Sequence, residues 1–311
     1  MTETMINPRV DLGFKKLFGV EENKDILISL LNSIVSEGDQ IDQIELLNPY
    51  NERNFKKDKL SVLDIKARNK HNGTYFLIEM QLSDEMDYPK RGLYSWARVY
   101  SNQLSSGEQY KKLNRTIAIH ILNFTFIDYS KETGWIASAP SKYHHRFVLR
   151  DKETGVEVFK DIEIHTIELN KFEGIDAKDL VHVLLKTKDM LDKWVAVLTK
   201  YSLLNLKELP QEINIPEIRK ALKVMREMQL SQTEREIYDS HLDFLRMEDN
   251  AFSKKFLDGK MEGRIEGIAE GIEKGKIEVA RNLLSKGLGV KFISEATGLS
   301  EEEIKGLMKD G

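Results

Sequence analysis

Two apolar, strand-like runs, each interrupted by a carboxylate, constrain this chain more than any other feature. VLDIKA carries Asp64, and FLIEMQL carries Glu79 followed by Met80 and Gln81. Between them lies Asn72-Gly73, a strong hairpin signal because both residues tolerate positive φ. Side chains alternate along a strand, so Asp64, Lys66, Glu79 and Gln81 share a face in either of two registers. A turn centred on Asn72-Gly73 opposes Asp64 to Gln81. A turn centred one residue earlier opposes it to Glu79. Directly opposed Cβ atoms lie about 5 Å apart. Two carboxylates at that spacing repel unless a proton or cation sits between them. Oxygen ligands of this kind suit Mg²⁺ or Mn²⁺ rather than zinc. A solvent-facing hairpin would also carry polar residues, but the apolar flanks argue for buried or half-buried strands, where unpartnered carboxylates are rare.

The surroundings of this pair alternate helix and strand. PRVDLGFKKLFG and KDILISLLNSIVS read as helices, with Asp11 a candidate N-cap. QIDQIELLNPYN, KLSVLDIKAR and TYFLIEMQLS read as strands. A long helix is predicted over Tyr88–Leu104, then strands in RTIAIHILNF, HHRFVLRD and DIEIHTIELN. That order belongs to an α/β or α+β sheet domain. From Asp176 to about Phe256 the pattern is helical, with Leu180, Val183, Leu184, Met190, Leu191, Trp194 and Leu198 at three- and four-residue spacing.

Composition narrows the chemistry. The absence of cysteine excludes disulfide scaffolds, Cys-type zinc sites, Cys nucleophiles and Fe–S clusters. A formal charge of -4 gives no global argument for nucleic acid. Residues 52–70, however, are locally basic, with Arg53, Lys56, Lys57, Lys59, Lys66, Arg68 and Lys70 beside the proposed pair. Such a patch suits phosphate, although a charge run is more often a solvated surface. Arg91, Tyr94 and Arg98 share one face of the long helix, where either phosphate contact or ordinary amphipathic packing fits. His120 and His165 sit in predicted strands without metal-ligand spacing and read as structural. The first residues lack a signal-peptide core, and no apolar run reaches the ~20 residues that span a bilayer. A cytoplasmic protein is expected.

With those residues in place, the chain resembles the D…E-x-Q form of the PD-(D/E)XK nuclease superfamily. More narrowly, it resembles the recombination-promoting nuclease or transposase family of that fold. The resemblance covers about residues 7–175. It rests on DLGFKKLFG, the Asp64 and Glu79 strands, KRGLYSWARVYSNQLSSGEQYKKL, IAIHILNF and IEIHTIELNKF, taken in order. It implies a restriction-endonuclease-like α/β fold, a mixed sheet flanked by helices, with a helical C-terminal extension. It implies a Mg²⁺- or Mn²⁺-dependent DNA endonuclease acting in recombination or DNA mobility. Asp64, Glu79 and the backbone carbonyl of Met80 would be the metal ligands. Gln81 stands where lysine is usual. Glutamine orients water but supplies no charge, so more of the activation would fall to the metal. Leu63 replaces the usual proline before Asp64 without altering a ligand. Asp11 matches the family's acidic residue in the first helix, and Lys66 is a candidate for the charge that Gln81 lacks. The alternative is a DNA-binding or assembly protein that keeps the fold without the activity.

The implied organisation is a nuclease-like domain over 1–175, a helical region over 176–256, and a tail over 257–311. In the tail, Gly259, Gly263, Gly267, Gly271 and Gly275 recur every four residues with Met261, Ile265, Ile268 and Ile272 interleaved. Each glycine costs a helix roughly 1 kcal/mol. Either close helix–helix contact offsets that cost, as in a homodimer, or the segment is a frayed linker. Three short helices are expected after it, with Gly298 closing one and Ser300 and Glu303 capping the next, as in a helix-turn-helix. The last of them opens on Glu301, Glu302 and Glu303, and those acids favour packing or dimer contact over direct DNA reading.

Overall fold

The computed structural model describes residues 5–50, 65–83, 87–127, 142–172, 183–185, 187–204 and 206–307. They fall into two compact units, residues 1–245 and 246–311.

The first unit is built on a sheet of six strands among the described residues: β1 (Ile44–Leu46), β2 (Ile65–Asn69), β3 (Tyr75–Gln81), β4 (Thr116–Leu122), β5 (His144–Val148) and β6 (Ile162–Glu168). The order is β1-β2-β3-β4-β6-β5. β1–β2–β3 and β5–β6 pair antiparallel, whereas β3–β4 and β4–β6 pair parallel. The fold is therefore an α/β mixed sheet with flanking helices, as the alternation of elements predicts. β3 and β4 run parallel because α3 (Tyr88–Ser101) carries the chain back between them, a crossover no tight turn can make. TIAIHIL in β4 is buried along its whole length, as a nearly continuous apolar run at the centre of a sheet should be.

The β2–β3 hairpin takes the second of the two registers, with Ile65 opposite Ile78 and Arg68 opposite Tyr75. The turn centre shifts because Gly73 closes a four-residue loop. Its N–H donates to the Asn69 carbonyl at 3.0 Å, and Asn72 Oδ1 accepts from the Thr74 N–H at 3.0 Å. Gly73 has φ +78°, and a Cβ there would lie 2.6 Å from Asn114 Oδ1, so both backbone and space call for glycine.

The two faces of the sheet differ in chemistry. Ile65, Ala67, Phe76, Ile78, Met80, Ile117, Ile119 and Ile121 turn to one face. They join the main core with α1 (Asp11–Phe18), α2 (Lys24–Ile34), α4 (Met190–Lys200) and α5 (Pro216–Glu227). Trp194 is fully buried there, edge-on to Phe18 at 5.8 Å. The predicted Leu191–Trp194–Leu198 stripe is that buried face of α4, which starts at a reciprocal Asp189–Asp192 capping box. The opposite face carries Lys66, Leu77, Glu79, Gln81 and His120 and lies under α3.

Toward β6 the core face holds a charged network. The fully buried Glu163 carboxylate accepts from Arg115 and Arg146, each at 2.6 Å, and from His165 at 2.7 Å. Arg115 also reaches Asp39 at 2.5 Å, and His165 stacks on His144. Burial alone would raise the Glu163 carboxyl. The hydrogen bonds from His165 and Arg146 and the charge of Arg115 outweigh it and hold the group at about 2. His165 is thus structural, as the sequence suggests.

One local expectation is corrected. Val10, not Asp11, is the N-cap of α1. It makes no side-chain cap bond, and Asp11 is already the first helical residue. There its charge still favours the helix N-terminus through the macrodipole.

α6 (Gln232–Ser285) begins in the first unit and ends in the second. The glycine-spaced segment is helical within it. A Cβ added at Gly267, Gly271 or Gly275 would meet nothing within 4 Å. Of the three short helices expected, the first is the end of α6. The others are α7 (Val290–Thr297) and α8 (Glu301–Leu307). Gly298 closes α7 at φ +73°. Ser300 and Glu303 cap α8 reciprocally: the Ser300 N–H donates to Glu303 Oε2 at 2.7 Å, and the Glu303 N–H donates to Ser300 Oγ at 3.2 Å. Ala280, Ile293, Leu299 and Ile304 form the small core of this unit.

Candidate nuclease site

The parallel pairing of β3 with β4 sets Glu79 beside His120, both pointing to the α3 face. Glu79 is 7% exposed and His120 1%. His120 Nδ1 stands 3.2 Å from Glu79 Oε2. Burial by itself would raise the Glu79 carboxyl. Hydrogen bonds from His120 and Ser95 and the charges of His120 and Arg91 overcome it, so the group stays below the usual carboxylate range. The result is a carboxyl group biased toward its charged form in a nearly dry place. A carboxylate offers about four acceptor positions, more than the His120 and Ser95 contacts can use, so capacity remains for a cation.

Gln81 lies one turn of the pleat further along β3. Its Oε1 accepts from the Arg91 guanidinium, and its Nε2 donates to the Ser83 carbonyl at 3.0 Å. Arg91 comes from the first turn of α3, which Pro89 helps to start. Tyr88, on the same turn, is buried, and burial together with the Glu79 charge pushes its phenol well above the ordinary value. Two cavities lie against neighbours of Glu79, which itself lines neither. One, about 190 Å³, is lined by Lys66, Tyr75, Ser95, Arg98 and Gln103. The other, on the His120 side, is apolar.

Residues 8–254 match the model of the PD-(D/E)XK nuclease family transposase, and residues 273–309 match the Rpn/YhgA-like nuclease family, C-terminal HTH domain. This chain belongs to the PD-(D/E)XK nuclease family of transposases. Comparison with curated proteins finds no match, and comparison with solved structures finds none. Among the described residues no helix is long and apolar enough to cross a membrane.

Within this PD-(D/E)XK chain, the structure brings Glu79, Gln81 and Lys66 to one sheet face, because Lys66 opposes Leu77 and the side chains alternate. The Met80 side chain lies in the core on the other face, so only its backbone is available to a ligand. Asp64 lies outside the described residues, as does most of the basic segment 52–70. Asp11 sits at the start of α1, with Oδ2 3.8 Å from His241 Nδ1. Of the helix face Arg91-Tyr94-Arg98, Arg91 joins Gln81, while Arg98 lines the polar cavity and lies over the Tyr94 ring at 5.8 Å. Gln103 is structural, bonding Asn114 and Thr116. His120 was not legible as a member of the site. Its partnership with Glu79 arises only from a parallel register set through a helix crossover, and no local sequence signal encodes that. Among the described residues no three His, Cys, Asp or Glu side chains cluster as a metal site.

Proposed function

We propose that this chain is a metal-dependent DNA endonuclease that hydrolyses phosphodiester bonds and promotes DNA recombination or mobility. The observation that carries the reading is Glu79: a buried carboxylate beside His120, on the strand face shared with Lys66 and Gln81. We assign Asp64, Glu79 and the Met80 carbonyl as ligands, on the resemblance of the two carboxylate-bearing runs to the family's site. The donor set is all oxygen, which fits Mg²⁺ or Mn²⁺. When bound, the ion would lower the pKa of water and offset charge on the phosphate oxygens.

The chain's own residues supply the rest. His120 and Ser95 hold the Glu79 carboxylate in place and charged. Gln81 orients the attacking water through its amide. Arg91 stands beside Gln81, where its permanent charge serves the phosphate in the way that a lysine at position 81 would. Lys66 is assigned to the phosphate on the flanking side, and Asp11 to a supporting position at the start of α1. Gln81→Ala and Arg91→Ala are expected to lower turnover by roughly 10²-fold while DNA affinity changes little, since the lost interactions act on the reacting phosphate. Plasmid-cleavage kinetics and filter binding measure the two effects. Equal losses in turnover and affinity would instead place both residues in DNA binding.

The Gln81 departure favours a second reading, a DNA-binding protein without activity. Plasmid DNA bound but left intact in Mg²⁺ and in Mn²⁺ would select it. The C-terminal helix-turn-helix supports DNA as the partner in either case.

We also propose a homodimer that uses the glycine-spaced stretch of α6, a surface that is open in a single chain at Gly267, Gly271 and Gly275. Deleting residues 257–311 should yield a monomer and impair double-strand cleavage more than nicking. Sedimentation at micromolar concentration checks this; a monomeric full-length chain, or a dimeric truncation, removes the tail from the contact.

A further inference from the structure

On the His120 side of Glu79, a cavity of about 240 Å³ opens on the α3 face of the sheet. Its walls are apolar: Leu93 from α3, Phe147 and Ile164 from β5 and β6, and the rings of Tyr88 and Phe126. Tyr88 stands edge-on to Phe126 at 5.1 Å and to His120 at 5.7 Å, which fixes that wall. Gly92 lets α3 come close above the imidazole, since a Cβ there would lie 3.2 Å from His120 Cε1. Among the described residues, no Lys, Arg, Asp or Glu lines the space.

Two polar side chains break the apolar lining. His120 and Thr166 are neighbours across the parallel β4–β6 pairing, and they are 1% and 2% exposed. His120 turns Nδ1 toward Glu79, which leaves Nε2 for the cavity. Among the described residues neither Nε2 nor Thr166 Oγ1 has a hydrogen-bond partner, and Nδ1 meets Glu79 only as a charge contact at 3.2 Å. Native interiors rarely leave such groups unmatched. An apolar pocket with a few convergent polar groups is the usual form of a small-molecule site.

We infer that this cavity receives one unstacked nucleobase of the DNA, adjacent to the phosphate handled at Glu79. The inference rests on the nuclease reading for its substrate. The volume lies below the roughly 300–1,000 Å³ of drug-sized ligand sites, which suits a single heterocycle. Aromatic and aliphatic walls accept its faces, and a ring nitrogen and a hydroxyl meet its polar edge. A phosphate suits the other cavity better, since Lys66 and Arg98 line that one and no Lys or Arg among the described residues lines this one. Enzymes that extrude a base read it in just such a pocket and gain selectivity at that position.

The test uses the full-length protein with oligonucleotides, single-stranded and duplex, that carry 2-aminopurine at successive positions. Ca²⁺ replaces Mg²⁺ so that binding is read without cleavage. The fluorescence of 2-aminopurine should rise several-fold at one position as the base leaves the stack. Thr166→Val removes the hydroxyl at constant shape, and Ile164→Phe fills the space. Each should cut the rise by about threefold or more, while the anisotropy-measured affinity, dominated by phosphate contacts, shifts less. Circular dichroism checks that both variants fold. A rise without any cleavage in a parallel Mg²⁺ assay keeps the pocket and removes the nuclease reading. Cleavage with flat fluorescence at every position overturns the pocket and keeps the nuclease. A rise undiminished in both variants also overturns it, as does a flat signal because no DNA binds.

Discussion

Glu79→Ala is expected to abolish metal-dependent DNA cleavage, with a loss of about 10³-fold or more, while the protein stays folded. Glu79 contributes little to the core that holds the fold. That core lies on the opposite face of the sheet, where Phe76, Ile78 and Met80 pack against the α1, α2, α4 and α5 helices. What the substitution removes is the buried negative charge that His120, Ser95 and Arg91 maintain. Asp64→Ala should behave in the same way. Glu79→Gln is the sharper variant. It keeps the volume and an acceptor oxygen but loses the charge, so a merely structural Glu79 would tolerate it. Supercoiled plasmid with Mg²⁺ or Mn²⁺ reads nicking and linearisation, and thermal unfolding confirms the fold. Wild-type rates in a pure, folded Glu79→Gln protein would remove this residue from the chemistry.

The second large effect lies away from the site, at Glu163. This carboxylate is fully buried and binds Arg115, Arg146 and His165. Glu163→Ala leaves Arg115 and Arg146 short of their counter-charge, although Asp39 still holds Arg115. Breaking a buried pair from one side costs about 3–5 kcal/mol. Urea unfolding at neutral pH measures it. The same residue predicts the acid arm of stability. Its folded pKa, about 2, is depressed from the ordinary 4.5. The folded state is therefore favoured above the unfolded pKa, and that advantage disappears as pH falls from about 4.5 toward 2. After allowance for screening at the partly exposed Arg146, of order 2–3 kcal/mol should go in this window. The wild type should lose more stability there than Glu163→Ala, whose acid arm should be shallower by about one proton. A variant within 1 kcal/mol of the wild type, with the same acid slope, would show that the network contributes nothing net.

These two residues also mark what the chain reveals before folding and what it does not. Glu79 stands out in the sequence because a carboxylate inside FLIEMQL contradicts its apolar neighbours, and the two-residue period of a strand then puts it on one face with Lys66 and Gln81. Glu163 stands in an equally strand-like segment, IEIHTIE, but its arginine partners come from β5 and from the residue before β4, and Arg115 in turn reaches Asp39 in a 3₁₀ turn. Only the sheet order brings them together. His120 is hidden for the same reason. The hairpin register was open between two choices because Asn72-Gly73 predicts a two-residue turn, whereas the chain uses Gly73 to close a longer loop. The α7–α8 turn was readable to the residue, since a left-handed glycine and a Ser/Glu capping box are local devices. The long α6 was not, because the glycine content argues against a continuous helix.

Diffraction from crystals soaked in Mn²⁺, with data at the manganese absorption edge, addresses the proposed activity at its origin. An anomalous peak about 2.0–2.3 Å from carboxylate oxygens of both Asp64 and Glu79 is the predicted result. A peak held elsewhere, or none at saturating Mn²⁺ with Glu79 still closed on His120, would contradict a metal-dependent nuclease at this site.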